Sequence, residues 1–486
     1  MVRRLIALLL FVSAPAFAQQ LSEVMAGRAL PITAQERQQG TQANPSITAQ
    51  YGGKMGGRQA AYVESVGRRI ASQSGLGSSP SDFDVTLLNS SVDNAFAIPG
   101  GYIYVTRNLL ALMNDEAELA GVMGHEVGHV AARHGAKRES AAKRNAIFGA
   151  LGQAIAGAVI GDSAIGGLLN KGIGTGTQLL TLRYSRSQET QADDLGVRYL
   201  STAGYDPLAL STMLQSLADQ TTLEGRISGN ARNVPTWQST HPDPGARVAH
   251  AAQFARTMPA GKDTRNRDAF LAAIDGMMYG DDPQQGVVSG QTFLYPEFGI
   301  AFDVPQGFGI ENGTSAVAIT GQGAQAQFAA LPYSGNIEAY VASVIKSLGG
   351  PADARPTLQR TTVNGFTAAY TLGRATNGST PLDVTIYAYE LSPTRAVHFV
   401  GITPSGNGTG PLQPMYGSLR KLTTADQANV KPRYVRVVTV KAGDTVQSLS
   451  GRMAYKDLQL ERFLVLNRLD AGTTLKPGDK VKVVTY

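Results

Sequence analysis

Six histidines occur in the chain, and two of them bracket a glutamate in His125-Glu126-Val127-Gly128-His129. Residues four apart lie on the same face of a helix. On a helix, His125 and His129 therefore aim two imidazole nitrogens at one point, with Glu126 one residue round. A zinc ion held by two such rings lowers the pKa of a water, and a carboxylate within reach takes its proton. That is the chemistry of metal-assisted peptide hydrolysis. With histidine so scarce, a chance pairing around a Glu is improbable, and two core histidines would leave Glu126 without a purpose.

A catalytic zinc needs a third protein ligand and one open position. Glu189-Thr190-Gln191-Ala192-Asp193 is the best donor segment. Glu189 and Asp193 are four apart, so two like charges share a face and repel unless something positive lies between them. A zinc ion and a ligand histidine meet that need if Glu189 ligates and Asp193 holds the histidine by its other nitrogen. The alternative is a solvated acidic helix start, favoured by the macrodipole.

The elements that must position these groups announce themselves. Asp115 with Glu118 three residues on reads as a capping box. Leu119, Val122, Glu126, His129 and Arg133 then follow one another around a helix, and Gly135 is placed to end it. In the donor segment Ser185 caps with Gln188, and Ala192, Leu195, Tyr199 and Leu200 form a core-facing stripe. Gly204 stops this second helix.

Four segments together resemble the gluzincin peptidases of the HtpX and CAAX prenyl protease type, especially their soluble periplasmic, BepA-like branch. They are Asn94 to Gly101 (Asn-Ala-Phe-Ala-Ile-Pro-Gly-Gly), His125 to His129 with Ala131 to Gly135, Glu189 to Asp193, and Ser239-Thr240-His241-Pro242 with Arg247. Their order and separation match over about residues 50 to 255. The resemblance implies a mainly α zincin-type protease domain with a small edge sheet. It implies one Zn2+ on His125, His129 and Glu189, with Glu126 as general base. Asn94 to Val105 becomes either an ordinary core hairpin or a strand and turn at the cleft edge, with Asn94, Pro99 and Gly100 placed to pair an extended substrate backbone. His241 either takes the open zinc position at rest or donates to the tetrahedral oxyanion. Arg247 braces the Glu189 and Asp193 carboxylates or binds substrate. His134, His250 and His398 read as structural. Clear transmembrane helices are absent from the sequence, which sets it apart from the membrane-embedded members and their prenylated substrates.

At 486 residues the chain is too long for one core. Its hydrophobic fraction of 43% and charged fraction of 16% describe a folding protein. Arg3 and Arg4, the apolar run Leu5 to Val12 and Ala16-Phe17-Ala18 read as a signal peptide cleaved after Ala18, too short to span a bilayer. There is no cysteine, so disulfides, thiolate ligands and a cysteine nucleophile are excluded. Export without disulfides suits the periplasm of a Gram-negative bacterium. The net charge of +6 falls by two without the signal arginines, and no basic run remains, which argues against a nucleic-acid partner.

Texture divides the rest. Residues 19–282 are mostly helical, the metallopeptidase domain. Residues 287–422 alternate in the strand manner at Thr292 to Val304, Ala316 to Thr320, Leu382 to Tyr389 and Ala396 to Gly401. Helices are expected at Ile337 to Leu348 and Leu412 to Leu422, giving an α+β domain of layered type without a catalytic cluster. A polar linker, Thr423 to Arg433, leads to residues 434–486. There Val440-Lys441-Ala442-Gly443-Asp444-Thr445, Leu449, Asn467, Leu469 and Leu475 to Val481 resemble a LysM domain of βααβ form, which implies binding to peptidoglycan. Asn145 to Gly161 is nearly all apolar and small, and the Gly-rich texture continues to Leu180. Asn145, Gln153, Asp162 and Lys171 interrupt it, favouring a helical excursion packed on the protease or in peripheral contact with a membrane surface. The sequence thus reads as an exported zinc endopeptidase whose polypeptide substrates are unfolded or misassembled envelope proteins, outer-membrane proteins among them. The alternatives are a cell-wall-binding protein with an inactive protease domain and a peptidoglycan-directed peptidase.

Overall fold

The structure, a computed structural model, describes residues 29–135, 184–228, 237, 241–313, 316–321, 323–348, 350, 355–377 and 380–486. The expected signal peptide and the Gly/Ala segment from Asn145 to Leu180 lie outside the described residues. No helix among those described is long and apolar enough to cross a membrane.

The chain enters through α1 (Ala34–Gln50), capped by Thr33 and Glu36, and α2 (Gly57–Ala71). A three-stranded sheet follows: β1 (Asp84–Leu88), β2 (Ala95–Ile98) and β3 (Tyr102–Thr106) in the order β1-β3-β2. β1 runs parallel to β3, and its Val85 to Leu88 are all buried, so it lacks the alternation that betrays a strand in sequence. β2 and β3 form the expected hairpin, with β2 at the sheet's edge. The turn differs from expectation. Gly100 sits at φ +97, and a Cβ there would meet the Glu36 carbonyl of α1 at 2.6 Å. Pro99 and Gly100 therefore pack under α1 instead of lining a cleft edge, and Asn94 is buried, its Nδ2 donating to the Tyr51 hydroxyl at 3.0 Å.

Helices α3 (Arg107–Leu112), α4 (Glu116–Ala131), α5 (Arg186–Ala203), α6 (Ala209–Ser228), α7 (Pro244–Ala255) and α8 (Arg267–Ile274) complete the region around one core. Asp115 caps α4 through the Glu118 N–H at 2.9 Å. Glu118 does not return the bond to Asp115, as a capping box would. Its carboxylate accepts the Asn114 N–H at 2.8 Å. α4 also ends before Gly135: Arg133 takes the left-handed φ of +56 and folds His134 back over the last turn. α5 starts with the predicted Ser185–Gln188 box and stops at Gly204, φ +86.

The contact between α4 and α5 is made by small residues. A Cβ on Gly196 would lie 3.0 Å from the His125 nitrogen, and one on Gly128 would lie 3.1 Å from the Ala192 carbonyl. The two backbones touch where the sequence has no side chain to separate them.

After β4 (Met278–Tyr279) comes the strand-rich middle domain, beginning with β5 (Val287–Ser289). The stretch Thr292 to Val304 is two strands rather than one. β6 (Thr292–Tyr295) and β7 (Ile300–Asp303) are separated by a turn that Pro296 opens and Gly299 closes at φ +66. Next in the chain are β8 (Gly309–Asn312), β9 (Val317–Gly321), β10 (Ala324–Ala330), α9 (Ile337–Ser347), β11 (Gln359–Val363), β12 (Phe366–Asn377), β13 (Thr380–Ser392) and β14 (Arg395–Pro404). The seven strands outside α9 form one sheet, ordered β11-β12-β13-β14-β10-β9-β8. α9 covers one face of it through Tyr340, Val341 and Val344. The other face packs on the smaller sheet through Phe302, Phe328 and Phe399. The helix expected from Leu412 to Leu422 shrinks to α10 (Gln413–Ser418). Its weak helix formers Gly417 and Ser418 yield to β15 (Arg420–Lys421), which pairs with β7. The expected linker contains α11 (Thr424–Asn429), capped reciprocally by Thr423 and Asp426.

The C-terminal region has β16 (Arg433–Thr439), α12 (Val446–Ser450), α13 (Gln459–Asn467) and β17 (Lys480–Thr485). This is the βααβ order that the sequence suggests. Its sheet runs β17-β16-β4, so residues 278–279 supply a third strand from the preceding region.

One junction ties α6 to Asp93, just before β2. Gln220 Nε2 lies 3.3 Å from Asp93 Oδ2 and 2.8 Å from Glu224 Oε1, holding two carboxyls side by side. Asn108 donates to Asp93 at 2.7 Å, and Glu311 from β8 adds a further negative charge to the field on Glu224. Burial pushes Asp93 up to about 6; burial and then the Asp93 charge push Glu224 up to about 8. Both folded values lie above the roughly 4 of an unfolded chain, so the folded state binds more protons across that window. Stability from this pair is present at low pH and is lost as pH rises from about 4 to about 8. Glu224→Gln is expected to flatten the fall of melting temperature between about pH 5 and 8. Equal slopes for wild type and variant would show that the pair carries no such linkage.

Candidate metal centre

Four side chains from three parts of the fold converge. His125 and His129 come from α4, Glu189 from the first turn of α5, and His241 from the segment just before α7. One donor atom from each lies within 4.8 Å of all the others, and all four residues are buried. The two histidine Nε2 atoms are 3.1 Å apart. His241 Nδ1 is 3.3 Å from His125 Nε2 and 3.1 Å from Glu189 Oε1, and His129 Nε2 is 3.5 Å from the same oxygen. Four donors about 2.0–2.1 Å from a central zinc would be roughly 3.4 Å from each other. The observed separations fit that tetrahedron.

The other ring nitrogens explain why these point inward. His125 Nδ1 lies 2.9 Å from Asp193 Oδ1, and His129 Nδ1 lies 2.8 Å from His134 Nδ1. With the Nδ1 atoms engaged outward, the Nε2 lone pairs face each other and the Glu189 carboxylate. Converging lone pairs in a buried site repel unless a cation lies among them. The donor set, two imidazoles and a carboxylate with a third imidazole at the remaining corner, suits zinc.

Asp193 and Glu189 are both fully buried. Arg247 from α7 clamps them: Nε donates to Asp193 Oδ2 at 2.8 Å, Nη2 reaches Asp193 Oδ1 at 2.5 Å, and Nη1 pairs with Glu189. Burial alone would raise Asp193, but Arg247 and then His125 outweigh it and hold the carboxyl below its usual range. For Glu189, burial is outweighed by His241, His129 and Arg247, and the group stays ionised. Burial pushes His129 well down, which favours the neutral imidazole that a metal requires. Glu126, one residue round the helix, has Oε1 buried with no hydrogen-bond partner among the described residues and 3.6 Å from His241 Nε2. Its pKa is raised, chiefly by burial against the opposing pull of His241 and His125. A carboxylate made more basic and left with a free oxygen is suited to accepting a proton.

The structure thus brings together His125, Glu126, His129, Glu189, Asp193, His241 and Arg247. It leaves Asn94, Pro99 and Gly100 in the β2–β3 hairpin, tied to Tyr51 or covered by α1. His250 pairs with Asp194 at 2.8 Å, and His398 lies 2.9 Å from the Tyr340 hydroxyl in the middle domain. His134, read as structural from sequence, stands behind the donor set, bridging His129 to Gln191 Oε1 at 2.9 Å. Trp237 and Tyr184 were not expected there at all. The indole stacks on the His241 ring at 4.7 Å and 15°, and Tyr184 stacks on His129 at 3.7 Å and 17°. Trp237 is the only tryptophan in the chain and lies four residues before His241. That spacing, closed by the His241 N–H donating to the Trp237 carbonyl at 2.8 Å, was the available signal.

With the geometry in place, the likeness to known proteins is specific. Residues 57–255 match Peptidase family M48, and residues 438–484 match the LysM domain. Residues 57–255 form a peptidase family M48 domain. The beta-barrel assembly-enhancing protease of Escherichia coli O157:H7 is 33% identical over 217 residues, which is 43% of this chain and 42% of that protein. The protein of the same name from Yersinia pestis is 30% identical over 225 residues, 46% of this chain and 44% of that one. The mitochondrial metalloendopeptidase OMA1 of Arabidopsis thaliana is 34% identical over 196 residues, covering 40% and 36%. The matches span less than half the length of these relatives.

Asp193→Asn should keep the fold while weakening the grip on His125. A zinc affinity lower by about 10- to 100-fold is expected, read by competition with a chromophoric chelator. Wild-type affinity would remove Asp193 from the support of the site.

Proposed function

We propose that the chain is a zinc-dependent endopeptidase in which His125, His129 and Glu189 hold the metal and Glu126 is the general base. The observation that carries this reading is the buried convergence of three ring nitrogens and a carboxylate beside the free oxygen of Glu126. Zinc bound there supplies a Lewis acid that lowers the pKa of a water and polarises the scissile carbonyl. Glu126 takes the proton of the attacking water and, with its raised pKa, returns it to the leaving amine. Asp193 orients the His125 ring, and Arg247 neutralises the paired carboxylates so that both remain ionised beside the donor set. His241 fills the fourth corner at rest and must move aside for the peptide carbonyl. Its stacking on Trp237 and its hydrogen bond to the Trp237 carbonyl couple that movement to Trp237.

The edge strand β2 supports a substrate bound as an added strand, along Ala95–Ile98 rather than at the turn. Recognition through backbone groups tolerates many sequences, which suits unfolded or misassembled polypeptides. The signal-like N-terminus, the absence of cysteine and the names of the bacterial relatives support the periplasmic envelope as the place of work and outer-membrane proteins as substrates. The LysM domain supports anchoring on peptidoglycan. Its loops 441–445 and 470–479, largely exposed, are brought together by the Val440 N–H donating to the Asp479 carbonyl at 2.8 Å.

Purified protein is expected to hold one zinc per chain and to cleave casein but not the peptides of purified sacculi. Glu126→Gln should keep the zinc and lose about 10²- to 10⁴-fold in kcat. Equal activity of the two proteins would reject the mechanism, and cleavage confined to sacculi would redirect it to cell-wall peptides. His241→Ala should also retain zinc, with kcat/KM rising several-fold, on the order of one RT-scale contact removed from the resting site. Unchanged activity and metal content would rule out His241 as the resting occupant of the fourth corner.

A further inference from the structure

The seam between the LysM and M48 domains is built unlike a tether. β16 pairs with β4 through Arg433–Tyr279 and Tyr434–Met278. The Val435 N–H donates to the Met277 carbonyl at 2.8 Å, and the Gly276 N–H donates to the Val435 carbonyl at 2.8 Å. The Val437 N–H reaches Asp275 Oδ1 at 2.9 Å. These bonds add residues 278–279, from the peptidase side, to the LysM sheet as its third strand.

Two cations of the LysM domain then reach past the sheet to the start of the catalytic helix. Lys482, on β17, is completely buried. Its Nζ donates to the carbonyls of Ala111 at 2.7 Å, Leu112 at 3.3 Å and Met113 at 2.5 Å. Three carbonyls use all three N–H bonds of an ammonium. Ala111 and Leu112 supply the last carbonyls of α3, which have no partner within that helix, and Met113 is its C-cap. Among the described residues no carboxylate lies within ion-pair distance of Lys482, so a cation is buried at the seam to cap a helix end. Burial lowers its pKa, and Glu118 works against that fall.

Arg468, at the C-terminus of α13, donates from Nη1 to Glu118 Oε1 at 2.6 Å. Glu118 lies in the first turn of α4, fully buried, and also accepts from the Asn114 N–H and, at 2.7 Å, from the Thr212 hydroxyl. Arg267 closes the seam, donating to the Asn114 carbonyl at 2.7 Å and to the Lys480 carbonyl at 3.0 Å. The residues gripped, Ala111 to Asn114 and Glu118, are the α3–α4 elbow and the first turn of the helix that carries His125, Glu126 and His129.

We propose that the LysM domain is a strut of the metal centre, with Lys482 and Arg468 as positioning residues that set where α4 begins. This rests on the peptidase reading above. A helix is stiff along its axis, and His125 stands about 10 Å from Glu118 at 1.5 Å per residue. A shift of the first turn therefore arrives at the histidines and at Glu126 nearly undiminished, and reacting groups misplaced by about 1 Å lose up to 10²-fold in rate. The strut leaves loops 441–445 and 470–479 exposed. The surface expected to meet glycan and the site expected to cut peptide therefore belong to one rigid unit, and a glycan held at those loops fixes the reach of the active site from the wall.

The test compares full-length wild type with Arg468→Met, Arg468→Lys and Lys482→Met, each checked for folding. Arg468 is 32% exposed at the rim of the seam whereas Lys482 is fully buried, so the Arg468 variants are expected to disturb the fold less than Lys482→Met. Arg468→Met is expected to keep its zinc, to lose about tenfold in kcat with KM within about twofold, and to exchange the amides of residues 116–124 faster. Arg468→Lys, which restores a cation beside Glu118, should recover most of the kcat. A folded Arg468→Met with wild-type kcat and wild-type exchange in α4 overturns the strut. Activity lost together with zinc would also overturn it, because the residue would then serve the fold and not the aim of the helix. Should wild type itself show no zinc-dependent cleavage, the peptidase reading fails, and the exchange of residues 116–124 alone decides the strut.

Discussion

The candidate metal centre depends on how closely α4 and α5 approach. Gly124 and Gly128 on one helix face Gly196 and Ala192 on the other, and the backbones touch. Only at that distance does Glu189, in the first turn of α5, reach the pair of imidazoles in the last turns of α4. The side chains of a glutamate and two histidines have limited reach, so a larger residue at the crossing would part the donors before it disturbed the rest of the core. The same crossing places Asp193 one turn further along α5, level with the outward nitrogen of His125.

Close approach creates an electrostatic problem that the surrounding residues answer. Glu126, Glu189 and Asp193 are three carboxyl groups buried in one small volume. Buried like charges are costly unless they are paired and hydrogen-bonded. Arg247 is the protein's own answer, with contacts to both carboxylates of α5. The remaining demand for positive charge falls at the point where the ring nitrogens converge. Glu126 is left out of the clamp, and its environment raises its pKa instead of lowering it. Neighbouring carboxyls with divergent environments are suited to divergent roles, which is the division that the proposed mechanism uses.

The domains outside the M48 region are joined to it in different ways. The LysM domain shares a sheet with residues 278–279 and buries a lysine against the elbow before α4, so it belongs to the mechanics of the site. The middle domain has its own cores on both faces of a seven-stranded sheet and meets the peptidase region through smaller polar contacts. Asp281, in the connection before β5, accepts from Ser91 at 3.1 Å on the peptidase side and from Asn312 of β8 at 3.1 Å on the other. Its buried His398 and Tyr340 serve that packing.

The sequence by itself determined the chemistry and the local elements that carry it. The four-residue spacing of His125 and His129, the Asp115 and Ser185 caps and the Gly204 stop are short-range facts, set by 3.6 residues per turn and by which side chains satisfy free N–H groups. The carboxylates of Glu189 and Asp193 were legible because their repulsion demanded a partner. Features that arise between distant segments were not legible. β1 hides its strand character because it is buried on both faces, and Pro99 and Gly100 are withdrawn from the cleft by a helix that begins some sixty residues earlier. Arg133 ends α4 before Gly135 because turning there delivers His134 to His129, a gain visible only with both rings in place. Trp237 and Tyr184 became part of the site through stacking, which has no sequence period. Nothing in the sequence marks Lys482, and only the tertiary structure gives it three carbonyls to cap. Local hydrogen bonding and periodicity fixed what each segment is; long-range packing, which must bury charge without leaving it unpaired, decided what each segment serves.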